Sequence, residues 1–301
     1  SDFFNSDDSL VAPYIHQFLL VVGGGVIGLE LGQVYHEFGS KVTIVEMMDQ
    51  ILPGLDTATA KRLLPVFKKL GMEILTGQKV ENLRKEGGQI QAIIAGQTRT
   101  FDKALLAVGR RPNLSVIEQS GLTFDRQGPF LKVSDRYETS QPGIFAIGDC
   151  IPGPMLAHKA SYDAWILAEQ FAGIIRKPNY DVVPSCVYTY PEIAWVGLSE
   201  ESAKQSNLEF KVGRTQFAAN GKALAMGEAE GQIKTLIGKD GKFLGTAMWG
   251  PEVSNLIIEA TSFQALHIVG QQVGEVIHPH PTLSEAFLDA TENALGTSAH
   301  S

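Results

Sequence analysis

A glycine-rich turn between two apolar runs constrains the fold of this chain more than any other feature. The apolar run Phe18–Val22 leads into GGGVIG at residues 23–28 and then into a helical pattern that ends near Gly39. A second apolar run follows at residues 42–45, and Glu46 closes it. This order predicts a strand, a tight turn, a helix and a second strand, which is the opening of a dinucleotide-binding α/β fold.

Each glycine of this turn has its own predicted mechanical role. Gly23 permits the tight turn, Gly25 lets the backbone approach a pyrophosphate, and Gly28 lets the helix and strand pack closely. The helix N-terminus offers N–H groups to phosphates. A carboxylate at Glu46 would accept hydrogen bonds from an adenosine ribose and repel a 2′-phosphate. The sequence therefore predicts an NAD site rather than an NADP site, and a glycine-rich turn in another kind of α/β domain is the alternative.

The composition narrows the class of protein. The chain has 301 residues, 44% of them hydrophobic and 19% charged, which is enough for about two ordinary globular domains. The net charge of −8 and the lack of a basic cluster argue against nucleic acid as a partner. No apolar run approaches the ~20 residues of a membrane span, so we expect a soluble protein. Cys150 and Cys186 have no metal-type or CxxC spacing and are interpreted as small buried hydrophobes.

Weaker patterns after Glu46 complete the first domain. Asp56 can cap a helix through residues 61–70. Alternation with glycine turns predicts a small antiparallel sheet in residues 80–101. The apolar residues 104–108 predict a buried strand that ends at Gly109, which should border the cofactor because ligands bind at the carboxyl ends of parallel strands. A plain exit from strand to loop explains this glycine equally well.

The second half of the chain changes character. Residues 144–147 predict a short strand, and Asp149 follows shortly after its end. The Asp149 carboxylate would either bind a ligand or cap the next helix. A clear helix is predicted for residues 157–175, and a boundary follows at residues 178–184. Beyond it, strands with a type I′ turn candidate at Asp240-Gly241 precede two helices, which indicates an α+β domain.

The sequence HPHPT at residues 278–282 lies between the last two predicted helices. Its two prolines restrict the backbone and therefore the directions of the imidazoles. One histidine could act as a general acid/base oriented by Glu285. Thr282 and Glu285 also have the spacing of a capping box for the final helix, which needs no chemistry. The residues alone leave both interpretations open.

Taken in order, these motifs resemble those of the flavin- and pyridine-nucleotide-dependent disulfide oxidoreductases, and most closely the dihydrolipoyl dehydrogenases among them. The resemblance covers nearly all of residues 18–295. It rests on the segments VVGGGVIGLELG, AVGRRPN, IFAIGDC, MLAHKA, YTYPEIAWVGLSE and HPHPTLSEA. Glutathione reductases share the His-Pro-Thr element but use NADP, which disagrees with Glu46, and mercuric reductases lack the histidine.

The resemblance implies a Rossmann-type α/β dinucleotide-binding domain plus a C-terminal α+β dimerisation domain. The implied ranges are a connector (residues 1–16), the NAD-binding domain (17–112), a segment that completes the FAD-binding region (113–180) and the dimerisation domain (181–301). The implied NAD-binding residues are Gly23, Gly24, Gly25, Val26, Ile27, Gly28, Leu29, Glu30 and Glu46, with Val80 near the adenine and Gly109 beside the cofactor. For FAD they are Asp149, at the ribityl chain, and Met155, Leu156, Ala157 and His158, along the flavin.

The same resemblance implies the chemistry. His280, supported by Glu285, would accept and return the dithiol proton in the active site of the partner subunit of a homodimer. Electrons would pass from dihydrolipoamide on a lipoyl domain through a cysteine pair and FAD to NAD. Such enzymes serve 2-oxo acid dehydrogenase or glycine cleavage complexes, in the cytoplasm or, in a eukaryote, in the mitochondrial matrix.

Three departures limit this expectation. Residues 161–164 (SYDA) replace the acidic residues and glycine usual in the family, and residues 250–255 (GPEVSN) lack the expected start of their helix. The family's first dinucleotide fold, with two cysteines four residues apart, has no counterpart here, so Glu30 lacks its usual lysine partner and we expect a truncated chain. The alternative for the chain itself is a non-catalytic module that binds NAD and forms dimers.

Overall fold

The computed structural model describes residues 3–298, which form two compact units. The larger unit combines the described residues up to Gly109 with those from Pro184 onward, and the central unit is Arg110–Val183. The predicted domain boundaries after residues 112 and 180 fall within a few residues of the two points where the chain passes between units. The division into three functional domains stays a prediction.

The first part of the larger unit is built around a parallel sheet. Its elements are β1 (Phe3–Phe4), α1 (Ser6–Leu10), β2 (Phe18–Val22), α2 (Val26–Glu37), β3 (Lys41–Val45), α3 (Thr57–Lys69), β4 (Glu73–Leu75), β5 (Val80–Glu86), β6 (Gln89–Ile94), β7 (Gln97–Phe101) and β8 (Lys103–Leu106). The parallel sheet has the strand order β1-β8-β2-β3-β4, while β5-β6-β7 form a separate antiparallel sheet. Leu19, Leu20 and Val21 are fully buried, as expected for a strand covered on both faces. The predicted α/β fold is therefore confirmed.

The predicted connector contains regular structure that the sequence analysis missed. Strand β1 pairs in parallel with Ala104 and Leu105 of β8. Helix α1 follows at once, because Asn5 and Asp8 form a capping box, with the Asp8 N–H donating to Asn5 Oδ1 at 2.9 Å. The acidic residues interpreted as a linker are thus the first turn of a helix.

The central unit has little regular structure before its long helix. Its elements are α4 (Ser115–Gln119), β9 (Arg126–Gln127), β10 (Phe130–Leu131), a 3₁₀ turn (Gly148–Cys150) and α5 (Ala157–Phe171). The predicted strand at residues 144–147 is wrong, because an isolated bridge between Glu138 and Phe145 takes its place. An apolar run forms a strand only where a neighbouring strand accepts and donates its backbone hydrogen bonds, and this segment forms one bridge only.

The second part of the larger unit is an antiparallel sheet with helices packed on it. Its elements are β11 (Ser185–Val187), β12 (Glu192–Gly197), α6 (Glu200–Gln205), β13 (Phe210–Gln216), α7 (Gly221–Met226), β14 (Gln232–Gly238), β15 (Phe243–Gly250), α8 (Val253–Ala265), α9 (Gly270–Val273) and α10 (Glu285–Leu295). The strand order is β11-β12-β15-β14-β13. This confirms the predicted α+β arrangement, although β12 was not predicted as a strand.

The turn between β14 and β15 differs from the prediction. The Gly241 N–H donates to the Gly238 carbonyl at 2.9 Å, and Gly241 has φ +83°. Asp240 does not have a positive φ, which a type I′ turn would require. The connection is therefore a type I turn followed by a left-handed glycine, and the register shift between Leu236 and Ile237 accommodates the longer loop.

A buried ion cluster joins the two parts of the larger unit. The Lys234 ammonium on β14 lies 2.7 Å from Asp56 Oδ2, and it also pairs with Glu200. The side chains of Lys234 and Asp56 are only 1% and 2% exposed. Burial alone would raise the pKa of Asp56, but the hydrogen bond and charge of Lys234 outweigh it and lower that pKa. Apolar residues pack across the same joint, among them Ile51, Leu55, Ile193 and Trp249.

Candidate functional site

The glycine turn after β2 is shaped by backbone contacts. Gly23 has φ +112°, and a Cβ there would lie 2.3 Å from the Ala107 carbonyl oxygen. A Cβ at Gly28 would lie 1.9 Å from the carbonyl oxygen of Gly23. No side chain fits at either position, because the turn, helix α2 and the end of β8 are packed backbone against backbone.

Open space lies beside Gly25 instead. A Cβ at this residue would meet no atom within 4 Å. Gly25 is also the N-cap of α2 and supplies no side-chain cap, so the first N–H groups of the helix have no side-chain partner from that position. Donors at a helix N-terminus next to free space suit the binding of an anion such as a pyrophosphate.

Glu46 is engaged by the protein backbone. Glu46 is only 9% exposed. Its Oε2 atom accepts the Gly24 N–H at 2.7 Å, and its Oε1 atom accepts the Met48 N–H at 2.7 Å. The carboxylate thus ties the glycine turn to the segment after β3. Each oxygen retains a second lone pair that can accept a hydroxyl. The backbone contacts were missed because residue spacing gives no information on them.

The other predicted NAD-binding residues lie in different surroundings. Leu29 is fully buried in the apolar core, so its side chain is not available to a ligand, whereas Val26 and Ile27 are half-buried in the first turn of α2. Glu30 Oε1 accepts the Tyr188 N–H at 2.8 Å, and burial raises the pKa of this carboxyl.

Val80 and Gly109 lie at opposite ends of the β5–β8 segment. Val80 begins β5 and packs partly buried against the apolar cluster that includes Leu20 and Ile94. Gly109 is exposed, has φ +121° and follows the carboxyl end of β8, near the Ala107 carbonyl that Gly23 approaches. The glycine turn and the end of β8 are therefore neighbours.

The predicted FAD residues all belong to the central unit. Asp149 is exposed in the 3₁₀ turn Gly148–Cys150. Met155 and Leu156 are half-buried, and Ala157 and His158 are exposed. Leu156 is the N-cap of α5 and provides no side-chain cap. The unit therefore presents an exposed carboxylate and a helix N-terminus without a side-chain cap.

A buried ion pair holds the residue before Asp149. The Lys159 ammonium lies 2.8 Å from Asp163 Oδ2, with side chains 1% and 0% exposed. Asp163 accepts the Gly148 N–H at 2.9 Å, and Lys159 donates to the Gly148 carbonyl at 3.1 Å. Tyr180 donates its hydroxyl to Asp163 Oδ1 at 2.7 Å. Both backbone groups of Gly148 are thus fixed to α5, a role that the sequence analysis missed although the two residues are four apart on one helix.

The His280 imidazole and the Glu285 carboxylate are paired. His280 Nδ1 lies 2.8 Å from Glu285 Oε1, and the histidine side chain is 79% exposed. Glu285 Oε2 accepts the Thr282 N–H at 2.8 Å. Burial acts to raise the pKa of Glu285, but the Thr282 N–H and His280 outweigh it and lower that pKa. Glu285 therefore binds the loop backbone with one oxygen and the His280 imidazole with the other.

The predicted capping box is only half formed. The Thr282 hydroxyl donates to the Pro279 carbonyl at 2.8 Å instead of accepting an N–H of α10. Ser284 occupies the N-cap position and makes no side-chain cap. The prediction that Thr282 caps the helix is therefore wrong, because its hydroxyl is hydrogen-bonded to the loop backbone instead.

His280 opens onto a cleft of about 640 Å³. The polar side chains that line it include those of Arg214, Gln216, Asn220, His278, His280, Glu285, Asp289, Glu292 and Asn293. His278 forms a second pair that the sequence did not predict, with Nε2 2.8 Å from Glu259 Oε1 and a side chain only 5% exposed. Burial raises the pKa of Glu259, and the contact with His278 opposes this.

The two cysteines are free and half-buried. Burial raises the pKa of both thiols, at Cys150 and at Cys186, which keeps them protonated near neutral pH. Within residues 3–298, no cluster of three or more metal-binding side chains occurs. None of the helices described in this range has the length and apolar character needed to span a bilayer.

Comparison with known sequences gives two family matches. The model of the pyridine nucleotide-disulphide oxidoreductases matches residues 2–164, and the model of their dimerisation domain matches residues 183–291. The dihydrolipoyl dehydrogenase of Thermus scotoductus is 42% identical over 284 residues, which cover 91% of this chain and 61% of that protein. The dihydrolipoyl dehydrogenase of Bacillus subtilis is 39% identical over 303 residues, covering 98% and 64%. The chain thus spans less than two thirds of the length of these relatives.

Comparison with solved structures gives matches over nearly the whole of this chain. The HOCl-induced flavoprotein disulfide reductase RclA from Escherichia coli matches with a TM-score of 0.87 and 25% identity, over 97% of this chain and 68% of that chain. LpdA from Mycobacterium tuberculosis matches with a TM-score of 0.83 and 26% identity, over 93% and 62%.

Proposed function

Because the chain belongs to the pyridine nucleotide-disulphide oxidoreductase family, we propose that it is the NAD-binding and dimerisation portion of a dihydrolipoyl dehydrogenase. The observation that carries this proposal is the combination, in one compact unit, of the open glycine turn and the paired His280 and Glu285. The complete enzyme passes electrons from dihydrolipoamide through a cysteine pair and FAD to NAD.

The residues of the glycine turn fit NAD. The space beside Gly25 and the first N–H groups of α2 receive the pyrophosphate. Glu46 accepts the ribose hydroxyls with its remaining lone pairs and repels a 2′-phosphate. Val80 lies toward the adenine and Gly109 beside the cofactor. Bound NAD supplies a hydride acceptor, and this chain supplies the orientation.

The residues of the central unit fit one edge of FAD. The exposed Asp149 carboxylate suits the hydroxyls of a ribityl chain, and the N-terminus of α5, from Met155 to His158, suits an electron-rich ring edge. Bound FAD supplies two-electron transfer between a dithiol and nicotinamide.

His280 supplies proton transfer. Glu285 holds its Nδ1 atom, so Nε2 of the exposed ring is the atom that accepts a proton from a thiol. The resulting thiolate is the competent nucleophile for disulfide exchange. In a homodimer, this imidazole acts in the active site of the partner subunit, and the substrate dithiol is carried by a lipoyl domain of a cytoplasmic multienzyme complex.

Titration of the chain with NADH and with NADPH tests the nucleotide site. We expect NADH to bind, and NADPH to bind at least about tenfold more weakly, because the 2′-phosphate would face the Glu46 carboxylate. Equal affinities, or no binding of NADH, would contradict the proposed site.

A second candidate is a non-catalytic module that binds NAD and forms dimers. The unit structure favours it, because the glycine turn and the dimerisation domain form one compact body without the central unit. The visible spectrum after addition of FAD and desalting tests whether this chain is catalytic by itself. A retained flavin band that NADH bleaches would contradict the proposal that the chain is only a portion of the enzyme, whereas NADH binding without a retained band would mean that enzyme activity belongs to a longer protein.

A further inference from the structure

The Asn220 side chain joins helix α7 to the loop that carries His280. Asn220 is only 4% exposed. Its Oδ1 atom accepts the Ala223 N–H at 3.0 Å and so caps α7, and its Nδ2 atom donates to the Thr282 carbonyl at 3.0 Å. The two partners fix the orientation of the amide, since an N–H faces one end and a carbonyl faces the other.

Thr282 is held through three of its polar groups. Its carbonyl accepts from Asn220, its N–H donates to Glu285 Oε2, and its hydroxyl donates to the Pro279 carbonyl. The other Glu285 oxygen holds His280 Nδ1. A continuous chain of hydrogen bonds therefore runs from the cap of α7 to the imidazole.

The exposed imidazole needs such support. Its side chain is 79% exposed, so packing against neighbours does little to hold the ring, and Glu285 is the carboxylate that fixes its direction. The contacts of Glu285 with Thr282 and His280 join the first residue of α10 to the short loop before it. Asn220 comes from 62 residues earlier in the sequence and connects this loop to the sheet-bearing body.

We propose that Asn220 is a positioning residue for His280, and that it acts through Thr282 and Glu285. This inference rests on the proposed function, in which His280 is the acid/base. The chemical requirement is specific to asparagine. Serine and aspartate cap helices about as well, but serine is too short to span to Thr282 and aspartate has no N–H to donate.

The ¹⁵N NMR signals of the His280 ring test the proposal at a pH where the imidazole is neutral, with His280→Gln used for assignment. In the wild-type chain, we expect the proton on Nδ1, donated to Glu285, and Nε2 left as the free base. In Asn220→Ser, which keeps the cap and loses the Thr282 contact, we expect the preference for the Nδ1–H tautomer to be lost. Asn220→Asp should act in the same direction.

Ser199→Ala is the matched control. Ser199 caps α6 through the Ser202 N–H at 3.1 Å, so its loss weakens a helix cap in the same unit without touching the His280 loop. The tautomer should stay as in the wild type. An unchanged tautomer in both Asn220 variants, or an equal change in the control, would overturn the positioning role.

NADH binding separates this inference from the proposed function. A wild-type chain that fails to bind NADH contradicts the proposed nucleotide site, while the tautomer comparison still decides the role of Asn220. Retained NADH binding in the Asn220 variants shows that the unit is folded, so a change of tautomer is then assigned to the hydrogen-bond chain.

Discussion

Gly25 and Gly28 differ in what surrounds them, although they belong to the same turn. A Cβ at Gly28 would lie 1.9 Å from a carbonyl oxygen, whereas one at Gly25 would meet nothing within 4 Å. The backbone at Gly25 has φ −78°, which any residue adopts. One glycine is therefore required by packing, and the other leaves room for a ligand.

Alanine at each position should separate these roles. We expect Gly28→Ala to destabilise the chain by about 1–3 kcal/mol or more, because the added methyl overlaps the backbone of the turn. Gly25→Ala should leave stability within about 0.5 kcal/mol and reduce NADH affinity, because the methyl occupies the phosphate space. Urea unfolding and NADH titration measure both. Equal NADH binding in Gly25→Ala and wild type would show that the space is not used.

Glu46 has two proposed roles, one in the stability of the glycine turn and one in the choice between NAD and NADP. Removal of its carboxylate in Glu46→Ala leaves the buried N–H of Gly24 and the partly buried N–H of Met48 without their acceptors. We expect a loss of about 1–3 kcal/mol in unfolding free energy and a smaller difference between NADH and NADPH affinities. Glu37→Ala, on the exposed face of α2, is the control and should change neither quantity. Urea unfolding and nucleotide titration decide the outcome.

At the scale of elements, α5 is tied to the preceding turn by charge rather than by apolar packing alone. Lys159 and Asp163 are buried one helical turn apart, and both contact Gly148. A buried pair of this kind is costly to break, because the remaining charge has lost its partner. The pair therefore determines where Asp149 is presented.

Lys159→Met should unfold the central unit more easily. We expect a loss of about 3–5 kcal/mol, because the Asp163 carboxylate stays buried without its counter-ion. Lys177→Met is the matched control, since Lys177 pairs with Asp135 while both side chains are about 80% exposed, at 81% and 78%. Exposed pairs contribute about 0–1 kcal/mol. Similar melting temperatures for both variants would argue against the buried pair as the main interaction that holds α5 to the turn before it.

At the scale of the whole molecule, the ion cluster of Lys234, Asp56 and Glu200 connects the proposed NAD-binding part to the dimerisation part. It also caps α3, because Asp56 Oδ1 accepts the Thr59 N–H at 3.0 Å. The Lys234 hydrogen bond, opposed by burial, lowers the pKa of Glu200 as well as that of Asp56. Both carboxylates are therefore more acidic in the folded chain than in the unfolded chain.

The pH dependence of stability follows from these directions. The contribution of the cluster is complete above the ordinary pKa values of 3.8 for Asp56 and 4.5 for Glu200, and it disappears as the pH falls through the lower folded-state values. Lys234→Met should destabilise the larger unit at pH 7 and flatten this acid dependence. Urea unfolding at pH 7 and at several acid pH values measures both effects. An acid dependence as steep as that of the wild type would show that other groups control it.

The sequence by itself determined the α/β and α+β architecture and the glycine turn. These features depend on local spacing, because strand and helix periods and turn residues are visible within short segments. Spacing left the role of the HPHPT segment open, and the pairing of His280 with Glu285 was implied only by the family resemblance. Family membership follows from the same local motifs, taken in order.

The tertiary structure alone decided the features that join distant residues. Phe3 and Phe4 form a strand because they pair with Ala104 and Leu105 of β8. The apolar residues 144–147 form a single β-bridge, from Phe145 to Glu138, and therefore no strand. The cluster around Lys234 and the contact of Asn220 with Thr282 likewise join remote parts of the chain. The physical reason is that ladder partners, burial and counter-ions are set by contacts in space, and the order of residues carries little information on them.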